Sequence, residues 1–360
     1  MQSEMHILLD GWQLIERPLS AAAFHLFELL EALQENVGLT LALPAAKPAW
    51  LSPKVAVSIR PRPLTALSHV QWVQRDLPLI ARQVQADVIH TVAGVAPLFA
   101  SQALVHSQTE LSEPRYAKRL TLWERMDQAF GWGGVSRAVS LERRGVFEVK
   151  QFAEEAWRGN SPLLGSVFSC LVDAPFPAPE IPYFLYQSFG DWQQLQWMLQ
   201  VWSKTTAHLG DQVTLAVVCA NDGERKRIAA HSSAEFLQTL CLYAEISPAQ
   251  LHSILKGSLA LIQLEDEPPW GGLARRAMAQ GVPVIGFERE TLDEAVGSAG
   301  YLVPPADERA LSAAMMTLVV EEEVLTSLQE KARLQATRWK VEAFRQGLLR
   351  HYQQAVNPTR

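Results

Sequence analysis

Short apolar runs closed by turn residues alternate along this chain with stretches whose apolar side chains recur every three or four positions. The first run, Met5-His-Ile-Leu-Leu9, stops at Asp10-Gly11, the pattern of a buried strand followed by a turn. Beyond Ser20, the columns Phe24, Phe27, Leu30 and Leu26, Leu29, Leu33 lie at helical spacing, and Ser20 is placed to cap that helix. Residues 39–43 and 55–59 read as strands, 70–84 as a long helix, and 87–90 and 103–106 as further strands. Strands alternating with helices predict right-handed βαβ units and a parallel sheet.

The rhythm breaks at Val172-Asp-Ala-Pro-Phe-Pro-Ala-Pro-Glu-Ile-Pro182, which carries four prolines. Proline removes a ladder donor and biases its predecessor towards extended backbone, so this segment reads as a linker. The pattern then restarts, with strands over 183–186, 213–218, 260–264, 284–287 and 301–303. Helices fall over 193–208 and 247–255, the latter with Pro248 in its first turn. Two α/β halves joined by a hinge leave a cleft at the carboxyl ends of their strands, where ligands bind in such folds.

Length agrees with this division. At 360 residues the chain exceeds what one hydrophobic core serves. The expected domains are 1–172 and 173–338, with 339–360 as a last helix. Charge narrows the partners. The net charge of −6 arises in the second half, because residues 1–172 hold 16 acidic and 16 basic side chains and 173–360 hold 22 and 16. No basic stripe of the kind nucleic-acid proteins carry stands out; the net charge of −6 argues only weakly against peripheral membrane contact, for which a local basic patch in the first domain would suffice. Cys170, Cys219 and Cys241 share no metal spacing and cannot all pair, which fits a reducing compartment. Met1-Gln-Ser-Glu lacks the basic start of a signal peptide, and no apolar run reaches the ~18 residues of a membrane span. The expectation is a cytoplasmic protein with no transmembrane segment. The histidines show no HExxH or paired ligand spacing, so no metal is expected.

An ordered series of short motifs in the second half resembles the retaining GT-B glycosyltransferases of family 4 (group 1). Leu251-His-Ser-Ile-Leu-Lys-Gly-Ser-Leu-Ala260 is similar to the family's helix and strand before the donor loop. Trp270-Gly-Gly and Ala277-Met-Ala-Gln-Gly-Val-Pro-Val284 resemble the donor loop, its helix and the next strand. Thr291-Leu-Asp-Glu-Ala-Val-Gly297 and Gly300-Tyr-Leu-Val-Pro304 follow in family order, as do Asp87-Val-Ile-His90, Ala96-Pro97 and Val105-His106 in the first half. The resemblance implies two Rossmann-like domains facing a central cleft, with a C-terminal helix from about Trp339 crossing back to the first domain. It implies no cofactor, and a nucleotide-diphosphate sugar as donor substrate.

Four devices serve the departing diphosphate in this family: a glycine-rich first loop, an Arg/Lys pair, a donor loop bracketed by two glutamates, and a first-domain histidine. Glycine and helix N-termini suit phosphate because no side chain blocks approach to the backbone N–H groups. Here the first loop reads Pro18-Leu-Ser-Ala-Ala-Ala-Phe24, with alanines in place of glycines. Gln193 stands where the family has lysine, and no arginine is near it in sequence. The two glutamate positions are Pro268 and Arg276, with Glu267 available if the loop shifts by one residue. A guanidinium donates hydrogen bonds and accepts none, so Arg276 cannot hold ribose hydroxyls as a glutamate does.

By resemblance the candidate catalytic residues are His106 and Glu267, and the candidate donor contacts are Gly271, Gly272, Arg275, Arg276, Leu292 and Glu294. Each has a structural alternative. His106 would serve as a hydrogen-bonded strand end and Glu294 as a helix cap, while Arg275 and Arg276 would pair with the nearby Glu265-Asp-Glu267 run. Two functions lead: retaining transfer of a sugar to a glycan, lipid or small-molecule acceptor, or an inactive homologue acting as a binding, scaffold or regulatory subunit for a protein partner; another GT-B enzyme class, such as a sugar-nucleotide epimerase, is a more distant third that nothing in the sequence specifically supports. Gly131-Trp-Gly-Gly134 reads as a turn. Of the eleven tryptophans, Trp123, Trp132, Trp192, Trp197 and Trp202 cluster mid-chain as core filling, with some left for a partner surface.

Overall fold

In a computed structural model of the chain, residues 5–34, 37–92, 97, 100–107, 147–148, 170–172, 176–265, 272–338 and 341–357 are described. The strands are β1 (His6–Asp10), β2 (Gly38–Leu43), β3 (Val57–Ile59), β4 (Val88–Thr91), β5 (Ala103–His106), β6 (Phe147–Glu148), β7 (Tyr183–Gln187), β8 (Thr214–Val218), β9 (Leu240–Tyr243), β10 (Ala260–Gln263), β11 (Val284–Phe287) and β12 (Gly300–Val303). The helices of the first half are α1 (Trp12–Glu16), α2 (Ala21–Leu33), α3 (Ala66–Gln71) and α4 (Leu77–Gln83). The second half adds α5 (Trp192–Leu209), α6 (Asp222–His231), α7 (Ala234–Leu237), α8 (Pro248–Gly257), α9 (Leu273–Ala279), α10 (Glu290–Val296), α11 (Glu308–Val320), α12 (Glu322–Ala336) and α13 (Val341–Val356).

Two six-stranded parallel sheets result, in the orders β3-β2-β1-β4-β5-β6 and β12-β11-β10-β7-β8-β9. Both orders reverse beside the first strand of their half, between β1 and β4 and between β7 and β10. Crevices open at the carboxyl ends of strands where the order reverses. In the first half Asp10, Thr91, His106 and Ser107 stand at those ends; in the second, Gln187 and Glu265 do.

Local chemistry explains the element boundaries. Ser20 accepts a hydrogen bond from the Ala23 amide at 3.2 Å and caps α2. Ser247 and Gln250 form a reciprocal capping box on α8, with Pro248 in its first turn. Eleven of the thirteen residues of α2 are buried, so the helix is covered on both sides. The helix expected over residues 70–84 is longer, a continuous run of α3, a π-helical turn (Trp72–Asp76) and α4. Glu321 ends α11, and α12 begins at Glu322 with acidic side chains in its first turn. Residues 176–182 of the proline-rich segment have no helix or strand.

The last helix packs on the first half. α13 lies against α2, β4 and β5, Arg345 Nε donates to the Ala32 carbonyl at 2.7 Å, and Tyr352 shares a 2.6 Å hydrogen bond with His90. Trp202 is fully buried, whereas Trp192 and Trp197 are half-buried; Trp192 carries the Arg227 guanidinium 3.8 Å from its ring centroid. Trp123, Trp132 and Gly131-Trp-Gly-Gly134 lie outside the described residues.

Candidate functional site

Arg276 reaches the first half of the molecule. It sits on α9, is 3% exposed, and holds its guanidinium carbon 4.0 Å above the ring centroid of Phe24 on α2. Stacking a cation on a ring face is favourable, and more so when the pair is desolvated. Burial lowers the Arg276 pKa to about 10, the Glu28 carboxylate one turn along α2 opposes that fall, and the guanidinium stays charged at neutral pH. Glu28, on the other domain, is thus one anion whose charge acts on Arg276. Close by, Gln187 Nε2 at the end of β7 donates to the Leu19 carbonyl just before α2 at 3.2 Å. Its Oε1 is buried with no hydrogen-bond partner among the described residues.

Behind α2 lies a chain of polar side chains. His25 Nδ1 is 3.4 Å from Glu28 Oε2, and His25 Nε2 is 3.0 Å from Ser107 Oγ. His90 Nε2 is 2.7 Å from Ser107 Oγ, and His90 Nδ1 is 2.6 Å from the Tyr352 hydroxyl. A carboxylate only accepts, which orients the chain. His25 Nδ1–H donates to Glu28, the Ser107 hydroxyl to His25, His90 Nε2–H to Ser107, and the Tyr352 hydroxyl to His90. Every bond then has one donor and one acceptor. Burial, with smaller effects from the charges of His25 and His106, holds His90 well below the usual imidazole range; burial also lifts Tyr352 well above the usual phenol range. The network ties α2, β4, β5 and α13 together and runs to Glu28, whose charge acts on Arg276.

The sequence-derived candidates separate. His106 stands half-buried at the end of β5, its Nδ1 2.8 Å from Thr91 Oγ1. Gly272 is the N-cap of α9, and Arg275 is buried on that helix. Leu292 is fully buried, and a Cβ added to Gly286 would lie 2.7 Å from its Cδ2 and 2.4 Å from the Gln263 carbonyl oxygen, so Leu292 is a core residue under β11. Glu294 is exposed in the middle of α10 and is not its cap, because the helix already begins at Glu290. Glu267 and Gly271 lie outside the described residues, as do Asp266 and Trp270. Among the described residues no group of three His, Cys, Asp or Glu side chains could hold a metal ion, and no helix is long and apolar enough to cross a membrane. Sequence reasoning passed over Phe24, Glu28 and the His25–Ser107–His90–Tyr352 chain. The available signal was a histidine and a glutamate three positions apart, set between the apolar columns of α2.

Buried titrations give this region a pH signature. Burial, with smaller effects from the charges of Arg276 and Lys256, lowers His252 to about 4. Below about pH 6.5 the unfolded chain takes up protons that folded His90 and His252 refuse, so their contribution to stability is lost as pH falls below that value. Asp10 runs the opposite way. Burial raises it to about 6 against two hydrogen bonds to its Oδ1, from Trp72 Nε1 at 2.8 Å and the Trp12 amide at 3.1 Å. Its contribution is complete below about pH 3.9 and is lost as pH rises through 6. Asparagine keeps the accepting oxygen and cannot ionise. The stability of Asp10→Asn relative to wild type, from urea denaturation at a series of pH values, is expected to rise between about pH 4 and 6.5. The rise has a ceiling of about 3 kcal/mol.

Residues 184–321 match the family model "Glycosyl transferases group 1". No curated protein matches the sequence. Solved structures resemble almost the whole chain. The glycosyltransferase WaaG, involved in lipopolysaccharide biosynthesis, is 10% identical with a TM-score of 0.63, covering 98% of this chain and 100% of its own. Sucrose-phosphate synthase from Thermosynechococcus elongatus is 18% identical with a TM-score of 0.62, covering 97% and 98%. Anabaena HepE, solved with UDP and glucose, is 14% identical with a TM-score of 0.57, covering 96% and 98%. The chain is thus a glycosyltransferase-like protein of GT-B fold, its second half matching the group 1 glycosyl transferases.

Proposed function

We propose that this protein has given up nucleotide-sugar transfer at the face between its two sheets and serves as a binding or scaffold subunit built on the glycosyltransferase frame. The observation that carries the reading is the Arg276–Phe24 contact. Arg276 occupies the position of a ribose-binding glutamate by resemblance, and Phe24 ends the segment where a glycine-rich loop would meet phosphate. Each now covers the other. The Gln187–Leu19 hydrogen bond joins the strand that should precede the basic pair to that same loop. Three segments that would surround a nucleotide diphosphate are therefore in contact with one another. Offsetting a departing diphosphate takes cationic groups and backbone N–H donors aimed at it. Gln193 is neutral, Arg276 is committed to Phe24 and Glu28, and the first loop carries Cβ atoms.

A second reading keeps the activity: retaining transfer from a UDP-type sugar to a glycan, lipid or small-molecule acceptor. Anabaena HepE binds UDP and glucose on this fold. Two observations favour this alternative. His106 is half-buried at the carboxyl edge of its sheet, and buried Gln187 Oε1 would accept a bond from a ligand hydroxyl.

Turnover decides between them. The wild-type chain incubated with UDP-glucose, UDP-N-acetylglucosamine, GDP-mannose and ADP-glucose is expected to release nucleotide no faster than buffer. Release that disappears in His106→Ala would replace the first reading with the second.

A further inference from the structure

Among the described residues the two sheets end in four edge strands, β3 and β6 in the first and β12 and β9 in the second. An edge presents unpaired backbone groups, and proteins blunt it with proline or charge. β3 runs into Arg60-Pro-Arg-Pro63, β6 carries Glu148, and β12 runs into Pro304-Pro305. β9, Leu240-Cys-Leu-Tyr243, has neither guard: no charge and no proline stands between Thr239 and Ala244.

Pairing with β8 decides which groups of β9 are left over. The Thr239 carbonyl accepts from the Leu215 amide at 3.0 Å, and the Tyr243 carbonyl from the Cys219 amide at 2.8 Å, with Leu215 in register with Leu240. Alternate residues of a parallel ladder turn their N–H and C=O groups to the same neighbour. Thr239, Cys241 and Tyr243 therefore face β8, while the N–H and C=O groups of Leu240 and Leu242 point off the edge of the sheet. No hydrogen bond among the described residues takes them up.

Such an edge recognises another strand, and its own copy fits. A two-fold axis through Cys241 sets two β9 strands antiparallel, with Leu240 opposite the second copy's Leu242. That register uses every outward group, since the two Leu240–Leu242 pairs exchange four backbone hydrogen bonds. It also sets Thr239 against Tyr243, Gln238 against Ala244 and Leu237 against Glu245, so no two charged side chains oppose each other over 237–245. Cys241 falls opposite itself at a position without hydrogen bonds, where Cα atoms lie about 4.5 Å apart, within the span of a disulfide. Cys241 is half-buried, whereas Cys170 and Cys219 are buried, so a thiol link reports on this contact.

We propose that the protein forms a two-fold dimer through β9, joining the second-half sheets of two copies into one continuous sheet. The pairing stands whether or not the cleft takes a nucleotide.

Sedimentation velocity of the whole chain, with thiol oxidation, tests it. The wild type is expected to sediment as a dimer at about 10 μM. Diamide, which takes up the two electrons and two protons that a pair of thiols gives up, is expected to link the chains on a non-reducing gel. Cys241→Ser removes the link and keeps the dimer. Leu242→Pro deletes an outward N–H and spares the β8 ladder, which uses Cys241 and Tyr243. It should weaken the dimer by about tenfold or more with the circular-dichroism melt retained. Leu242→Lys keeps every backbone donor, guards the edge with a cation and should weaken the dimer likewise. A chain still monomeric at about 100 μM overturns the proposal. So does a dimer that either folded Leu242 variant keeps, or one that diamide leaves unlinked, because each places the contact elsewhere.

Discussion

Replacing Arg276 by alanine is expected to lower the unfolding free energy by about 2 to 5 kcal/mol, the range for truncating a large buried side chain. The loss has two parts. Phe24 forfeits the guanidinium stacked at 4.0 Å. Glu28, itself buried, loses a cation whose charge acts on it, while its contact with His25 remains. Because the stranded carboxylate dominates, Glu28→Gln should recover part of the deficit: the double variant is expected to be more stable than the sum of the single losses predicts. Chemical denaturation of the four proteins of that cycle measures the coupling. Additive losses would mean that Arg276 and Glu28 do not meet across the two halves, and the proposed filling of the site would lose its support.

Leu292→Ala is the second large effect. Leu292 is fully buried beside Gly286 and β11, and truncating a buried leucine costs about 2 to 5 kcal/mol depending on how far the cavity relaxes. Two residues away, Glu294 is exposed in mid-helix, so Glu294→Ala should stay within about 0.5 kcal/mol of wild type. Family resemblance treats both as donor contacts, whereas packing separates them. A thermal melt in which Glu294→Ala is as damaging as Leu292→Ala would place a buried role on a side chain the fold leaves in water.

The same division marks what the sequence could reveal. Strands with continuous apolar runs, such as Val284–Phe287, and helices opened by Ser20 or Ser247 were legible because burial and capping act over a few neighbouring positions. Leu240–Tyr243 was not: only Leu240 is buried on this edge strand, and the other three positions are half-exposed, so neither a continuous nor an alternating pattern forms. The π-helical turn at Trp72–Asp76 leaves apolar spacing nearly unchanged, which hides it from periodicity. At the site, the missing glycines, lysine and glutamate could be read directly. What replaced them could not, because Phe24 and Arg276 are 252 positions apart and meet only once both sheets exist. The histidines followed the same rule. His25 and His90 carry no ligand spacing in sequence, and Ser107 and Tyr352 join them only through β5 and the returning helix.

On the proposed reading, contacts between the two halves stand where the resemblance implies phosphate-binding devices, and such a frame would be kept for a fixed shape. The buried chain from Tyr352 to Glu28 supports this, since it links the last helix to the face that Arg276 covers. Catalysis by closure would need those contacts to form and break around substrate; a side chain held at 3% exposure on a ring of the opposite half resists that cycle.

Equilibrium binding tests the central claim most directly. Thermal shift of the purified chain against UDP, GDP, ADP, TDP and their sugar conjugates at millimolar concentration reads any ligand that prefers the folded state. A ligand at about a hundred times its Kd adds about 2.7 kcal/mol, which on a chain of this length is a rise of about 2 to 4 °C in Tm. No shift with any of them is expected for the wild type. A rise of that size with one nucleotide, lost in His106→Ala, would contradict it and return the protein to the working glycosyltransferases.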